Sequence, residues 1–166
     1  ITKFGTTPLI AGDLTAGAVA LIEYDGTRFQ LVGATTNVFN YIVEPTAVSA
    51  TAANTTVSYD VATQSIVYYT AAATANWSIN FRGNSGLSLN NTLAIGQTVS
   101  VTFMATQGAT AYYNTAVTID GTSVTPKWQG VAPAFGNANS VDVYTYAITK
   151  TANATFTVFA SQTKFV

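Results

Sequence analysis

Strict two-residue alternation of apolar and polar side chains runs through long stretches of this chain and narrows its possible folds sharply. From Asn76 to Arg82, Trp77, Ile79 and Phe81 alternate with Asn76, Ser78, Asn80 and Arg82. Successive side chains of an extended chain point to opposite sides, so the pattern describes a strand with one dry face and one wet. Thr56 to Val61 repeats it with Val57, Tyr59 and Val61 set against Ser58 and Asp60. Thr98 to Thr106 does the same with Val99, Val101, Phe103 and Ala105. Further strands are expected near Tyr41 to Glu44, Ser65 to Thr70, Ala111 to Ile119, Thr122 to Trp128, Ser140 to Thr149 and Thr155 to Ala160. The Ala-rich stretches Ala50 to Ala53 and Ala71 to Ala75 lack a helical apolar period, and Thr and Asn interrupt them. About nine strands with turns between them predict an all-β fold, an antiparallel β-sandwich of jelly-roll type.

Two hairpins can be drawn residue by residue. Asp25-Gly26 and Asp120-Gly121 are pairs that favour a type I′ turn, in which both central residues need positive φ. Around the first, Ile22 is expected opposite Phe29, Ala20 opposite Leu31, and Glu23 opposite Arg28. Around the second, Ile119 is expected opposite Thr122 and Val117 opposite Val124, with Thr118 and Ser123 on the outer face. The same parity places Trp128 inward if Pro126 leaves the strand intact. No internal repeat of fixed period is evident. A seam near Gly33 to Phe39 divides a small β-hairpin segment, residues 1–36, from the sandwich, residues 37–166. A lone two-stranded hairpin is marginal in water. Its apolar residues Ile22, Phe29 and Leu31 are therefore candidate oligomer contacts.

Composition excludes whole classes of chemistry. The 166 residues include no Cys and no His, which removes disulfides, thiolate ligands, a His base and a Ser-His-Asp triad. Only 8% of residues are charged and the net charge is −1, so no electrostatic footprint for nucleic acid is present. No apolar run reaches the roughly 18 residues of a membrane span. Thr and Ala make up roughly a third of the chain, as in long-lived exposed β-proteins. The seven acidic residues are scattered, and only Glu44 and Asp142 lack a local role, so a glycosidase pair is not expected. No calcium-loop pattern or phosphate-binding loop is present, and no cofactor is expected.

Aromatic residues remain as candidates for recognition. Trp77 lies on the apolar parity of its strand and is expected in the core. Tyr68-Tyr69 and Tyr112-Tyr113 are adjacent pairs, and in a strand one ring of each pair must turn outward. These four tyrosines are candidate ligand or interface residues. The plainer reading is a partly buried edge tyrosine with a wet hydroxyl.

The residues also carry a resemblance. Phe4-Gly5-Thr6-Thr7-Pro8-Leu9, Ala11-Gly12-Asp13-Leu14, Ala16-Gly17 and Tyr24-Asp25-Gly26-Thr27 with Phe29 and Leu31 resemble the end of a module in phage tail fibres. Trp77 to Arg82, Gly108 to Tyr113, Ile119 to Gly121, Val124 to Gly130 and Ser161 to Thr163 are similar to a Thr/Ala-rich domain in virion proteins of phages infecting marine cyanobacteria. The resemblance implies a structural part of a tail fibre or similar appendage on the virion surface. It also implies homotrimers, contact with other virion proteins, and attachment to the host surface, and it brings no catalytic residues. One alternative is a host-recognition domain that binds surface glycans through exposed aromatics. Another is a capsid-surface decoration or knob protein. The chain opens at Ile1 without an initiator Met, so it is expected to be either processed or a piece of a longer polypeptide.

Overall fold

The computed structural model describes residues 1–3, 7–9, 11, 21–31 and 44–166. The chain divides into two compact units, Ile1–Val43 and Glu44–Val166. The seam expected between Gly33 and Phe39, and residues 41–43 of the strand expected to end at Glu44, lie outside the described residues.

In the first unit β1 (Thr2–Lys3), β2 (Thr7–Pro8), β3 (Ile22–Tyr24) and β4 (Phe29–Leu31) form one sheet in the order β2-β1-β4-β3. β1 runs parallel to β4 and antiparallel to β2, so the hairpin has strand neighbours that its sequence did not announce. Its register needs correction. Ile22 pairs with Leu31, Glu23 with Gln30 and Tyr24 with Phe29, which leaves Asp25–Arg28 as a four-residue loop. The cause is the Asp25 carboxylate, which accepts from the Thr27 and Arg28 backbone N–H groups at 2.9 and 2.8 Å. Asp25 N–H donates to the Arg28 carbonyl at 3.1 Å, and only Gly26 takes positive φ, at 90°. These bonds hold the carboxyl of Asp25 below its ordinary pKa, the Arg28 N–H contributing most. A two-residue shift of partner preserves parity, so Ile22, Tyr24, Phe29 and Leu31 still share a face. Ala20 lies outside the described residues.

The second unit holds β5 (Thr46–Ala52), β6 (Thr55–Asp60), β7 (Ile66–Ala71), β8 (Trp77–Arg82), α1 (Leu89–Thr92), β9 (Thr98–Thr106), β10 (Asn114–Ile119), β11 (Thr122–Val124), β12 (Lys127–Trp128), β13 (Val141–Ala152) and β14 (Thr155–Phe165). They form a four-stranded sheet, β11-β10-β8-β6, and a six-stranded sheet, β12-β14-β13-β9-β7-β5. From β5 to β10 the chain changes sheet after every strand. Neighbours within a sheet are therefore two strands apart in sequence and run the same way. β5, β7 and β9 are parallel, and so are β6, β8 and β10. β12 also runs parallel to β14, and antiparallel pairing is confined to β10/β11, β13/β14 and β9/β13. The expected all-antiparallel sandwich is thus corrected to two mixed sheets. Alternation reports which face of a strand is dry and is silent about direction, which is set by how the chain crosses between layers.

The two sheets face each other across one core. Val57, Tyr59, Trp77, Ile79, Phe81, Val117 and Ile119 come from the smaller sheet, and Val101, Phe103, Tyr144, Tyr146, Ile148 and Val158 from the larger. Ring pairs cross the gap: Trp77 lies 5.6 Å from Tyr144 and 6.0 Å from Phe103, and Phe81 lies 4.9 Å from Tyr146, all edge to face. Such pairs add about 0.5–1.5 kcal/mol beyond the area they bury.

The second Asp-Gly hairpin has the expected register, with Asp120 and Gly121 at φ of 51° and 80°. The strand expected over Thr122 to Trp128 is broken, however. β11 stops at Val124 and the chain resumes at Lys127, because Pro126 has no N–H for the ladder. Trp128 still faces inward, against Tyr144 and Tyr146 at 6.5 and 6.0 Å. β5 is the other correction. Its Thr-Ala-Val-Ser-Ala-Thr-Ala sequence has a weak apolar face, and it forms an end strand of its sheet among the described residues.

Candidate functional site

The sequence left Glu44 and Asp142 without local roles, and the fold gives them unrelated ones. Asp142 is fully buried on the inner side of β13. Its carboxylate accepts from Gln107 Nε2 at 3.1 Å, from the Asn137 backbone N–H at 3.0 Å and from Asn137 Nδ2 at 2.5 Å. Gln107, itself buried, reaches onward to Tyr112, accepting from its N–H at 3.0 Å and donating to its carbonyl at 2.8 Å. Two loops, 107–113 and 129–140, are thereby tied to one strand. Every donor is a neutral amide, so the carboxylate acts as an anchor. Glu44 is exposed and accepts from Ser65 Oγ at 3.2 Å. It precedes β5, three strand spacings from β13 in the sheet order. At about 4.8 Å per spacing that is roughly 14 Å, beyond the reach of a glycosidase carboxylate pair, about 5–9.5 Å.

Four further charged side chains of the second unit are locally engaged. Arg82 Nε contacts Asp60 Oδ1 at 2.5 Å, and this pairing raises the Arg82 pKa. Asp120 accepts from the N–H groups of Leu89 and Asn90 at 2.7 and 3.0 Å. Lys150 is buried, and its Nζ donates to the carbonyls of Asn90 and Leu93 at 2.5 and 2.9 Å. Among the described residues no group of three or more His, Cys, Asp or Glu side chains is placed to hold a metal ion, and no helix is long and apolar enough to cross a membrane.

The tyrosine candidates separate. In β7, Tyr69 turns inward, edge-on to Phe103 at 5.2 Å, and burial raises its pKa. Tyr68 turns to the outer face of the six-stranded sheet, in register between Val48 and Met104. Tyr112 and Tyr113 precede β10, so strand alternation does not govern them, and both are partly buried. Their backbones are held by Gln107 and by Asn76, whose Oδ1 accepts from Tyr113 N–H at 3.1 Å. The four rings therefore do not assemble into one site. Ile22, Tyr24 and Phe29 of the first unit are exposed, at 43%, 57% and 50%, whereas Leu31 is partly covered.

The outer face of the six-stranded sheet holds what the sequence reading missed. Phe159 stands among Thr155, Thr157, Ser161 and Thr163, on the polar side of β14's alternation, and is 52% exposed. An aromatic ring on polar parity was the signal available. Beside it, β12 and β13 flank a concavity of about 490 Å³. Lys127 Nζ lies over the Phe159 ring, 5.6 Å from its centroid.

No protein-family model matches this chain, and no curated protein or solved structure matches it either.

Proposed function

We propose that this chain is a non-catalytic structural module of a bacteriophage virion, part of a tail fibre or similar surface appendage, that works as a homotrimer. The observation that carries the assembly is the exposed apolar face of the first unit, where Ile22, Tyr24 and Phe29 stand together on the hairpin. Tyr24 and Phe29 form a ring pair at 5.1 Å, which joins their exposed apolar surface into one patch. A second copy that covers it removes apolar surface from water, which favours association. The virion setting rests on the resemblance of the Phe4 to Leu31 and Trp77 to Thr163 segments to phage fibre and virion proteins. A surface with 8% charged residues, wetted mainly by Thr and Ser hydroxyls, suits an exposed, long-lived particle component.

Sedimentation equilibrium of the full chain tests the assembly. The expected mass is that of a trimer, unchanged by high salt because apolar burial drives it. Phe29→Asp places a charge in the contact and is expected to dissociate it. A monomer at all concentrations would refute the trimer. Immunogold labelling of purified particles tests placement: label on the tail supports a fibre, and label on the head supports the decoration reading instead. Chromatography of host envelope polysaccharide after incubation tests catalysis, since released oligosaccharides would overturn the non-catalytic reading.

A further inference from the structure

We propose that the concavity on the outer face of the six-stranded sheet binds an acidic saccharide, with Phe159 as the stacking platform and Lys127 as the carboxylate partner. This goes beyond a structural role and gives the module an adhesive one.

The groove follows from the local sequence. Pro126 interrupts the strand that begins at β11, and the chain crosses to the larger sheet as the two-residue β12. Lys127 pairs with Phe159 and Trp128 with Ala160, and Gln129 N–H extends the ladder to the Ala160 carbonyl at 2.8 Å. Gly130 then turns the chain away at a φ of 79°. A short rim is left beside the long β13/β14 ribbon. Alternation sends the Lys127, Phe159, Thr145, Ala147, Ser161 and Gln129 side chains to the outer face, where they line the concavity. Beneath it Trp128 packs against Tyr144 and Tyr146, so the floor is rigid. Its volume of about 490 Å³ falls within the range of small-molecule sites, about 300–1,000 Å³.

The lining specifies the ligand. A pyranose presents a face of C–H bonds that packs on an aromatic ring, and an edge of hydroxyls that needs donors and acceptors. Phe159 offers the ring. Thr145, Ser161 and Gln129 offer hydroxyls and an amide, and their side chains hydrogen-bond to no other described residue. Lys127 is the one ionisable group in the lining, and its ammonium lies over the Phe159 ring on a flexible stem, so a sugar that takes its place on the ring keeps it within reach. A sugar stacked there brings a ring carboxylate toward that ammonium. The concavity bounded by Arg82 and Asp120 offers no such set. There Arg82 is paired to Asp60, Asn80 Oδ1 accepts from Thr118 and Gly121, and both Asp120 oxygens are taken by backbone N–H groups.

The test is binding of the full chain to an oligosaccharide array in which each acidic sugar is accompanied by its methyl ester, followed by titration calorimetry of the hits. The expected result is binding of acidic members, weakening with salt and by about fivefold or more on esterification. Phe159→Ala is expected to weaken binding about tenfold or more. Lys127→Met is expected to weaken it severalfold and remove the salt dependence, while Thr98→Val, on the same face outside the groove, leaves it unchanged. Near-ultraviolet circular dichroism matching the parent separates lost binding from lost folding. No binding on the array, or binding indifferent to Phe159→Ala in a folded variant, overturns the site. Equal binding of esters, with Lys127→Met silent, overturns the acidic assignment. None of these outcomes alters the sedimentation result, which reads association alone.

Discussion

Trp77 and Tyr144 meet edge to face across the two sheets, with ring centroids 5.6 Å apart and an interplanar angle of 81°. Both are fully buried, and Trp77 also touches Phe103 from the same sheet as Tyr144. The indole is thus the main side chain joining the layers at this level of the core. Trp77→Ala is expected to cost about 3–5 kcal/mol, the sum of lost transfer free energy and a residual cavity. Trp77→Phe should cost far less, because Trp77 Nε1 is buried with no partner among the described residues. Removing that N–H relieves a penalty of about 1–3 kcal/mol and offsets part of the lost volume. Urea unfolding of both variants checks the difference.

Asp142 should behave as a structural anchor. Asp142→Ala leaves the Asn137 N–H groups facing an apolar methyl, so a loss of about 1–3 kcal/mol for each orphaned donor is expected. The loss should be accompanied by faster hydrogen exchange at the Asn137 and Tyr112 amides, which the cluster holds. Unchanged exchange at both would remove the anchor role.

Alkaline pH should unfold the second unit cooperatively. Burial raises the phenol pKa values of Tyr59, Tyr144 and Tyr146 above the ordinary value near 10. Above pH ~10 the unfolded chain releases these protons while the folded chain retains them, so stability is full below that pH and falls as pH rises. Each tyrosine contributes a slope of about 1.4 kcal/mol per pH unit in that window. Tyrosinate absorbance and circular dichroism, followed together during an alkaline titration, should change in one step for these three groups.

Asp120 serves the hairpin and α1 together. Its positive φ of 51° suits the turn, and its carboxylate caps Leu89 and Asn90 N–H groups. Asp120→Ala is expected to cost about 1–2 kcal/mol, as for loss of a helix cap. Asp120→Asn should cost less, since Asn tolerates the backbone conformation and keeps one acceptor oxygen. Thermal unfolding of the pair checks the order.

Gly136 marks a close approach that no other residue permits. A Cβ there would collide with the Tyr112 carbonyl oxygen, which already accepts from Gln107. Gly136→Ala should displace the 129–140 loop and cost about 1–3 kcal/mol by overpacking. A chemical-shift comparison should localise the change to that loop and to residues 107–113.

Local patterning placed most of the strands and their dry faces. Trp77, Ile79 and Phe81, Val101, Phe103 and Ala105, and the Asp120-Gly121 hairpin lie where alternation and turn chemistry put them, because both signals act within a few residues. Even the misjudged Ile22–Phe29 pairing kept its apolar face, since the Asp25 loop moved the partner by two. Strand direction and neighbours were set by the packed fold. Parallel β5, β7 and β9 are brought together by crossings between layers, and nothing within a strand encodes its partner's heading. The same holds for the sites. Asp142 meets Gln107 and Asn137, and Phe159 meets Lys127, through register between segments 5 to 35 residues apart. Tertiary structure alone also separated Glu44 from Asp142, because the strand order of the sheet sets the distance between groups far apart in the chain.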